Sequence, residues 1–383
     1  MGKIELDHTG SGGGVTLSSD GTDLLLDGTA IGGGGGAALE LYAENPSSPT
    51  APSATGTNAV AIGSGATASG LDSFAMGWNS VASSGGALAI GYNTDATTSI
   101  SQAIGSRSTG AGAQAHAAGA TAIGGAYASG QDSFAAAIDN NTSSYGATGT
   151  NSIAIGELAR ATANDSVAVG SGAYGNGNGA VALGFNNESR SYAFTAGRES
   201  TATGFVATAI GYNVGAYHDE SVALGRLTQT RVRSSIAFGS YGFGSSGDCQ
   251  SGLYVLNRFT TDATAAPLVV NGYYAVAATS SNQIVLPNNS AYAFHGTIVA
   301  RQQASAGTAS AAWKVEGLIR REGSAGTTVL VNSATTVLDN TPSWGLTLSA
   351  DTTNGCLQIT GTGAASTNIR WVATIHTSEV TYA

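Results

Sequence analysis

The most regular feature of the chain is a short apolar motif, Ala followed by a large apolar residue and Gly, that returns through residues 61–239. Thirteen copies, two of them degenerate, follow one another in steps of 14 residues, apart from two steps of 13 and two of 19. Such a fixed period is typical of a solenoid. Two strands of about five residues and two turns of about two fill a 14-residue coil, so the motif predicts one flattened coil per repeat.

Within each repeat, the apolar residues of the first strand alternate with alanine. Val60 and Ile62 are two residues apart and face one side, whereas Ala61 faces the other. The second strand of each repeat has small side chains, as in Ala66-Thr67-Ala68. We therefore expect large side chains of one wall to interdigitate with small ones of the other, while Gly supplies positive φ at the turns.

The two ends of the chain lack the repeat. Residues 1–53 combine Asp-Gly turns, the run Gly32–Gly36 and three prolines within 46–52, which indicates hairpins and an extended linker with little core of its own. Residues 248–383 contain eight strand-like runs and three of the four tryptophans, which indicates an antiparallel β-sandwich. We predict three domains, namely 1–53, 54–247 and 248–383.

Composition supports an all-β chain and excludes several classes of protein. Of 383 residues, 56 are Gly, and only 10% are charged, so few good helix formers are present. The net charge of −10 argues against a nucleic-acid partner. No apolar run approaches the roughly 18 residues of a membrane-spanning helix, and no basic segment precedes an apolar one at the start of the chain, so we expect neither membrane insertion nor a signal peptide.

The repeat carries a resemblance to a known family. The run Asn151–Ala161, Asn-Ser-Ile-Ala-Ile-Gly-Glu-Leu-Ala-Arg-Ala, resembles the head repeat of YadA-type trimeric autotransporter adhesins, and the likeness extends over about 59–240. Those heads are left-handed parallel β-rolls that lie three side by side, so the resemblance implies a homotrimer that attaches to surfaces. The alternative is a monomeric solenoid. A secretion signal and membrane-spanning final strands are lacking, so we expect a protein other than an autotransporter.

A second resemblance concerns the end of the chain. The stretch Ile284–Ser290, followed by Gly296–Arg301, resembles C-terminal modules of bacteriophage tail fibres, and the acidic N-terminal segment resembles phage fibre N-termini more weakly. This resemblance implies a virion protein that is released by lysis without a signal peptide. Its N-terminus would bind other tail or baseplate proteins, and the β-roll would form a shaft that ends in the sandwich.

Candidate chemistry is sparse. The five histidines show no metal-binding spacing, although a trimer axis would bring together copies of His116 or His218. Carboxylates such as Asp72, Asp132 and the pair Asp219 and Glu220 are groups that cleave glycosidic bonds, but acids at equivalent repeat positions are also typical of turns. We predict no catalytic, metal or cofactor site and a protein that is not an enzyme. We also expect Cys249 and Cys356 to be free thiols, with a disulfide between them as the alternative.

Two groups of residues are candidates for receptor binding. Trp78 and Tyr92 each follow an anchor glycine and are one period apart, so they should lie about 4.8 Å apart on one edge, as a platform for sugar rings. The alternative is that they cover a neighbouring turn or subunit. In the C-terminal domain, the candidates beside turn signals are Tyr273, Tyr274, Arg320 and Arg321.

We expect Trp313 and Trp371 to lie in the core and receptor contact to be concentrated in the C-terminal domain. The predicted function is a phage tail fibre that attaches to the host surface by binding a glycan. The alternatives are a tailspike that depolymerises polysaccharide and a purely structural spacer or decoration protein.

Overall fold

The computed structural model describes residues 50–105, 112–136, 145–273, 276–304 and 309–382, together with the backbone of five short strands nearer the N-terminus. Four of these strands form an antiparallel sheet. The fifth pairs in parallel with the first coil of the repeat region. Outside the described residues lie the Gly32–Gly36 run, most of the predicted proline linker and the candidate residue Tyr274. The five strands are Ile4–Leu6, Val15–Ser19, Leu24–Leu26, Thr29–Ala30 and Glu40–Leu41.

The repeat region is a parallel β-solenoid with two walls. The strands that carry the Ala-apolar-Gly motif form one wall, which we call the anchor wall, and each pairs in parallel with its equivalent in the next coil. The shaft strands are shorter than predicted, at two to five residues. The anchor-wall strands are Val60–Ile62, Phe74–Met76, Leu88–Ile90, Gln102–Ile104, Thr121–Ile123, Phe134–Ala136, Ile153–Ile155, Val167–Val169, Val181–Phe185, Phe194–Arg198, Thr208–Tyr212, Val222–Arg226 and Ile236–Gly239.

The opposite wall, which we call the small wall, consists of two-residue strands that also pair in parallel, again one per coil. Its outward residues are mostly polar, for example Thr67, Gln114 and Arg160. Its strands are Ser53–Ala54, Thr67–Ala68, Val81–Ala82, Asp95–Ala96, Gln114–Ala115, Tyr127–Ala128, Gly146–Ala147, Arg160–Ala161, Tyr174–Gly175, Glu188–Ser189, Thr201–Ala202 and Gly215–Ala216.

The interior of the solenoid is filled by alanine from both walls, which corrects one expectation. Ala61 and Ala68 are fully buried, whereas Ile153 and Ile155 are each 37% exposed and Phe238 is 44% exposed. The large apolar residues therefore point outward and do not interdigitate across the coil. The reason is the width of the coil, because strands joined by such short turns approach too closely for side chains as large as Ile or Phe to fit between them.

The C-terminal region begins as a continuation of the anchor wall. The last strand of the anchor wall, Ile236–Gly239, pairs antiparallel with Cys249–Thr260. From there the large sheet continues antiparallel through four more strands. In spatial order they are Ile369–Thr381, Ser290–Gln302, Ser310–Arg321 and Val329–Asp339.

A smaller sheet packs against this large sheet. In it, Cys356–Thr362 pairs with Gly345–Asp351 on one edge and with Ala266–Pro267 and Ile284–Val285 on the other. A single 3₁₀ turn, Ala325–Thr327, is present among the described residues. The arrangement is a β-sandwich, and the predicted all-β architecture of a parallel solenoid followed by antiparallel sheets is confirmed.

The core of the sandwich contains the tryptophans, as expected for two of them. Trp313 and Trp371 are 2% and 1% exposed, and their rings stack with centroids 5.7 Å apart. Trp371 Nε1 donates a hydrogen bond of 3.0 Å to Thr260 Oγ1, so its polar atom is satisfied inside the core. Cys249 and Cys356 are both free thiols, as predicted. Burial raises the pKa of Cys356 to about 12.

The outward face of the anchor wall is continuous with the outer face of the large sheet. Paired residues of neighbouring strands point to the same side, and the register runs from Ile236 to Leu253 and on to His376 and His295. This shared face carries valines exposed to water, including Val299 at 50% and others between 40% and 48%. One outward surface therefore extends from the shaft, where it is apolar, onto the sandwich, where Lys314 and Glu316 lie among the valines, and we call it the continuous face.

Candidate functional site

Trp78 and Tyr92 form a stacked pair on one edge of the shaft. Each follows the anchor glycine of its coil, Gly77 or Gly91, in the turn that leaves the anchor wall. The ring centroids are 4.7 Å apart with an interplanar angle of 12°, and each residue is 44% exposed. The separation matches the spacing of about 4.8 Å between neighbouring strands, so the parallel register of the coils holds the two rings face to face.

The outer face of the Trp78 ring is not covered by an aromatic residue of the preceding coil. The equivalent position there is Ser64, whose side chain is too small to cover an indole. A flat, exposed ring in this position presents an apolar surface to solvent, with the indole N–H at its rim. Such a surface suits the C–H face of a sugar ring.

A longer ladder occupies the same repeat position further along the shaft. Phe185, Arg198, Tyr212 and Arg226 lie at consecutive coils in direct register, and Tyr241 follows them. The Arg198 guanidinium lies 5.4 Å from the ring centroids of both Phe185 and Tyr212. Arg226 lies 5.0 Å from Tyr212 and 4.0 Å from Tyr241. The result is an alternating aromatic and cationic stack that stabilises the edge by cation–π contact.

Sequence reasoning singled out Trp78 and Tyr92 at this repeat position but missed the arginines. Arg198 and Arg226 also follow directly on an anchor glycine, Gly197 or Gly225. The signal was therefore present in the repeat alignment. It was missed because only aromatic residues at that position were considered.

The C-terminal candidates occupy different surroundings. Tyr273 is 59% exposed, with its ring centroid 6.3 Å from that of Phe259. Arg320 is exposed and lies 3.6 Å from Glu322. Arg321 is partly exposed and donates a hydrogen bond of 2.6 Å from Nη1 to the Leu286 carbonyl. Arg320 and Arg321 line a small cavity of about 240 Å³.

The carboxylates considered for catalysis lie in turns. Asp72 has a φ of 54° and accepts a hydrogen bond of 2.9 Å at Oδ1 from Asn58 Nδ2 in the preceding coil. Asp132 has a φ of 53° at the equivalent position. Asp219 Oδ1 accepts a hydrogen bond of 2.9 Å from the backbone N–H of Phe205. These acids connect or cap successive turns.

Folding brings two of the five histidines together. His295 and His376 are cross-strand partners on the continuous face, and their rings stack with centroids 5.3 Å apart. Within the described ranges, no group of three or more His, Cys, Asp or Glu side chains is arranged to hold a metal ion. No helix in the same part of the chain is long and apolar enough to cross a membrane.

The repeats match a known family. The YadA head domain repeat matches residues 54–80, 68–94 and 147–173, which include both residues of the stacked pair. No curated protein matches the chain.

The solved structures that match include two phage proteins. One is tailspike protein gp49 of Acinetobacter baumannii bacteriophage Fri1, a capsular polysaccharide depolymerase, at 10% identity and a TM-score of 0.20 over 85% of this chain and 65% of that one. The chain therefore spans less than two thirds of the gp49 chain. The other is the tailspike protein of Acinetobacter phage vB_ApiP_P1, at 11% identity and a TM-score of 0.19 over 85% of this chain and 76% of that one.

The prediction that the protein is not an enzyme is contradicted by the similarity to a capsular polysaccharide depolymerase. That prediction rests on the lack of sequence motifs with a fixed spacing. The chain carries YadA head domain repeats in a parallel β-solenoid and is similar to bacteriophage tailspike proteins.

Proposed function

We propose that the protein is a trimeric fibre of a bacteriophage virion that attaches the particle to a glycan on the host-cell surface. The resemblance of residues 284–301 to tail-fibre modules supports a place in the virion. The N-terminal segment, residues 1–53, joins the fibre to other tail or baseplate proteins. The solenoid then acts as a shaft that carries the binding surface and the sandwich.

The observation that carries the proposal is the exposed Trp78–Tyr92 stack. The two rings, each 44% exposed, stack into one contiguous apolar patch, and such patches mark binding sites more often than scattered apolar side chains do. The parallel coils fix both rings in one orientation before any ligand arrives, so little conformational entropy is lost on binding. A glycan suits this edge because the sugar rings of a polysaccharide repeat along its length, as the coils of the solenoid repeat along the shaft.

The difference between the two walls supports a trimer. The small wall presents polar residues such as Thr67 and Gln114 outward, whereas the anchor wall presents large apolar ones such as Ile155. The apolar surface continues onto the sandwich through Val299 and Val372, which are 50% and 40% exposed. An exposed apolar surface of this length is typical of a subunit interface. Three chains that bury the continuous face leave the aromatic edge, at the rim of the coil, open to solvent.

The test is binding of the full-length protein to capsular polysaccharide or lipopolysaccharide purified from the host strain. We expect Trp78→Ala and Tyr92→Ala each to weaken binding by about tenfold or more, as for aromatic anchors elsewhere. The matched control is Tyr192→Ala, which removes an exposed aromatic residue from the opposite edge. Glycan chain length is measured in the same samples, so that cleavage is detected separately from binding.

Two results would overturn the proposal. One is failure of the wild-type protein to bind any glycan of a host whose cells it coats. The other is unchanged binding by both aromatic variants.

A further inference from the structure

A cleft of about 510 Å³ lies where the last coils of the shaft meet the first loop of the sandwich. This volume falls within the range of about 300–1,000 Å³ that is usual for ligand sites. It is larger than the cavity beside Arg320 and Arg321. Its polar and aromatic lining includes Tyr217, His218, Asp219 and Arg233 from the shaft and Asn271 and Asn282 from the loop.

The Tyr217 ring is a preformed flat surface in this cleft. The residue is 44% exposed, and its ring lies so close to Gly215 that a Cβ on that glycine would overlap it. The backbone N–H of Tyr217 donates a hydrogen bond of 3.1 Å to Thr230 Oγ1 in the next coil. The hydrogen bond fixes the backbone at Tyr217, and the ring packs against Gly215 while the residue stays partly exposed in the cleft.

His218 lines the same cleft with a partly buried ring. Its Nδ1 is buried and has no hydrogen-bond partner among the described residues. Burial lowers the pKa of His218, although a hydrogen bond with the Thr230 backbone and the charge of Asp219 oppose that shift, while Arg231 reinforces it. The lowered pKa favours the neutral form of the ring.

Charged groups of both signs flank His218. Arg233 Nη2 lies 3.7 Å from Glu220 Oε2, which is too long for a strong hydrogen bond, so the guanidinium retains donors for a ligand. Asp219 uses Oδ1 for the Phe205 backbone, and a carboxylate has about four acceptor sites in all. Donors and acceptors side by side match sugar hydroxyls, each of which both donates and accepts.

The loop side of the cleft is held rigid by its own hydrogen bonds. Asn282 Oδ1 accepts from the Thr279 backbone at 2.8 Å, and its Nδ2 donates to Ala277 O at 3.0 Å and to Asn271 Oδ1 at 3.2 Å. Arg258 Nη1 donates to the Val276 carbonyl at 2.8 Å. The cleft is thus organised before a ligand enters, which reduces the entropic cost of binding.

We infer that this cleft is a second saccharide subsite, in which a sugar ring stacks on Tyr217 and its hydroxyls bind Asp219 and Arg233. The inference rests on the proposed attachment to a surface glycan and adds to it a site at the junction of shaft and sandwich. A long polysaccharide that engages both the shaft edge and the cleft would bind more tightly than either site alone allows.

The first experiment uses the full-length protein and short oligosaccharides obtained by partial hydrolysis of the host surface polysaccharide. We expect Tyr217→Ala and Arg233→Gln each to reduce affinity by about tenfold. If the first pair disturbs the fold, the conservative variants Tyr217→Phe and Arg233→Lys are measured in their place. Tyr217→Phe should retain most of the binding because the ring face remains. Tyr192→Ala, two coils away on the same edge, is the matched control and should bind as the wild type does.

The second measurement does not depend on any variant. Hydrogen exchange with and without the oligosaccharide should show protection at residues 217–220 and 276–282. Unchanged affinity in the cleft variants, with no protection there, would overturn the inference. If Trp78→Ala still weakens binding in that case, the proposed function survives. If the wild-type protein binds no oligosaccharide or polysaccharide, both fail.

Discussion

The guanidinium of Arg231, at the end of the shaft, lies 3.6 Å from the carboxylate of Glu379, on the last strand of the sandwich. The Glu379 side chain is fully buried and that of Arg231 is 12% exposed. Glu379 also accepts hydrogen bonds from Tyr254 Oη at 2.8 Å, Thr377 Oγ1 at 2.6 Å and Gln250 Nε2 at 2.8 Å. Shaft and sandwich are therefore joined by a buried ion pair whose carboxylate is well satisfied.

Removing Arg231 alone should destabilise this junction strongly. Arg231→Met leaves the Glu379 charge buried without its counter-ion, and breaking such a pair costs about 3–5 kcal/mol. Chemical denaturation measures the change in the free energy of unfolding. Arg190→Met is the matched control because Arg190 and Glu188 form an exposed pair at 3.4 Å, which is worth about 0–1 kcal/mol. Equal effects of the two substitutions would contradict the role assigned to the junction.

The anchor glycines should not tolerate a side chain. Gly77 has a φ of 130°, and a Cβ there would overlap the carbonyl oxygen of Gly91 in the next coil. Gly77→Ala is expected to lower the melting temperature of the shaft by several degrees. Gly85→Ala is the control, because the nearest atom to its Cβ is 3.8 Å away. A melting temperature for Gly77→Ala as high as that of Gly85→Ala would show that the coils are less tightly apposed than described.

A charge placed on the continuous face should break the assembly. Ile155→Asp or Val299→Asp introduces a carboxylate into the proposed apolar interface, where an unpaired charge is costly. Light scattering should then give the monomer mass of 37.7 kDa, against three times that mass for the wild type. Thr67→Asp on the small wall is the control and should remain trimeric. A trimer in both interface variants would mean that another surface joins the chains.

Acidification should destabilise the fold through His218. Its pKa is lowered in the folded state, chiefly by burial, so below the ordinary value of 6.5 the unfolded chain binds the proton more readily. The stability contributed by the neutral ring is complete above pH 6.5 and is lost as the pH falls toward the lowered pKa. His218→Gln should flatten this part of the pH profile of the melting temperature. An unchanged slope in that variant would contradict the assignment.

The sequence predicted the parts of the fold that depend on the period. A 14-residue repeat determines coil, register and rung spacing together, so the face-to-face contact of Trp78 and Tyr92 followed from their positions alone. The outward direction of Ile153 and Ile155 did not follow, because alternation shows that two sets of residues face opposite sides but not which side is inside. The sandwich could be recognised from its strands, but not the pairing of Arg231 with Glu379, since nothing in the sequence brings together residues so far apart.

The most direct test of the central claim is a cryo-electron microscopy structure of the full-length protein with the surface polysaccharide of its host. The account predicts three chains packed through the continuous face, with sugar density against the outer face of each Trp78 ring. A monomeric particle, or a trimer whose sugar density is absent from the edge that carries Trp78 and Tyr92, would contradict it.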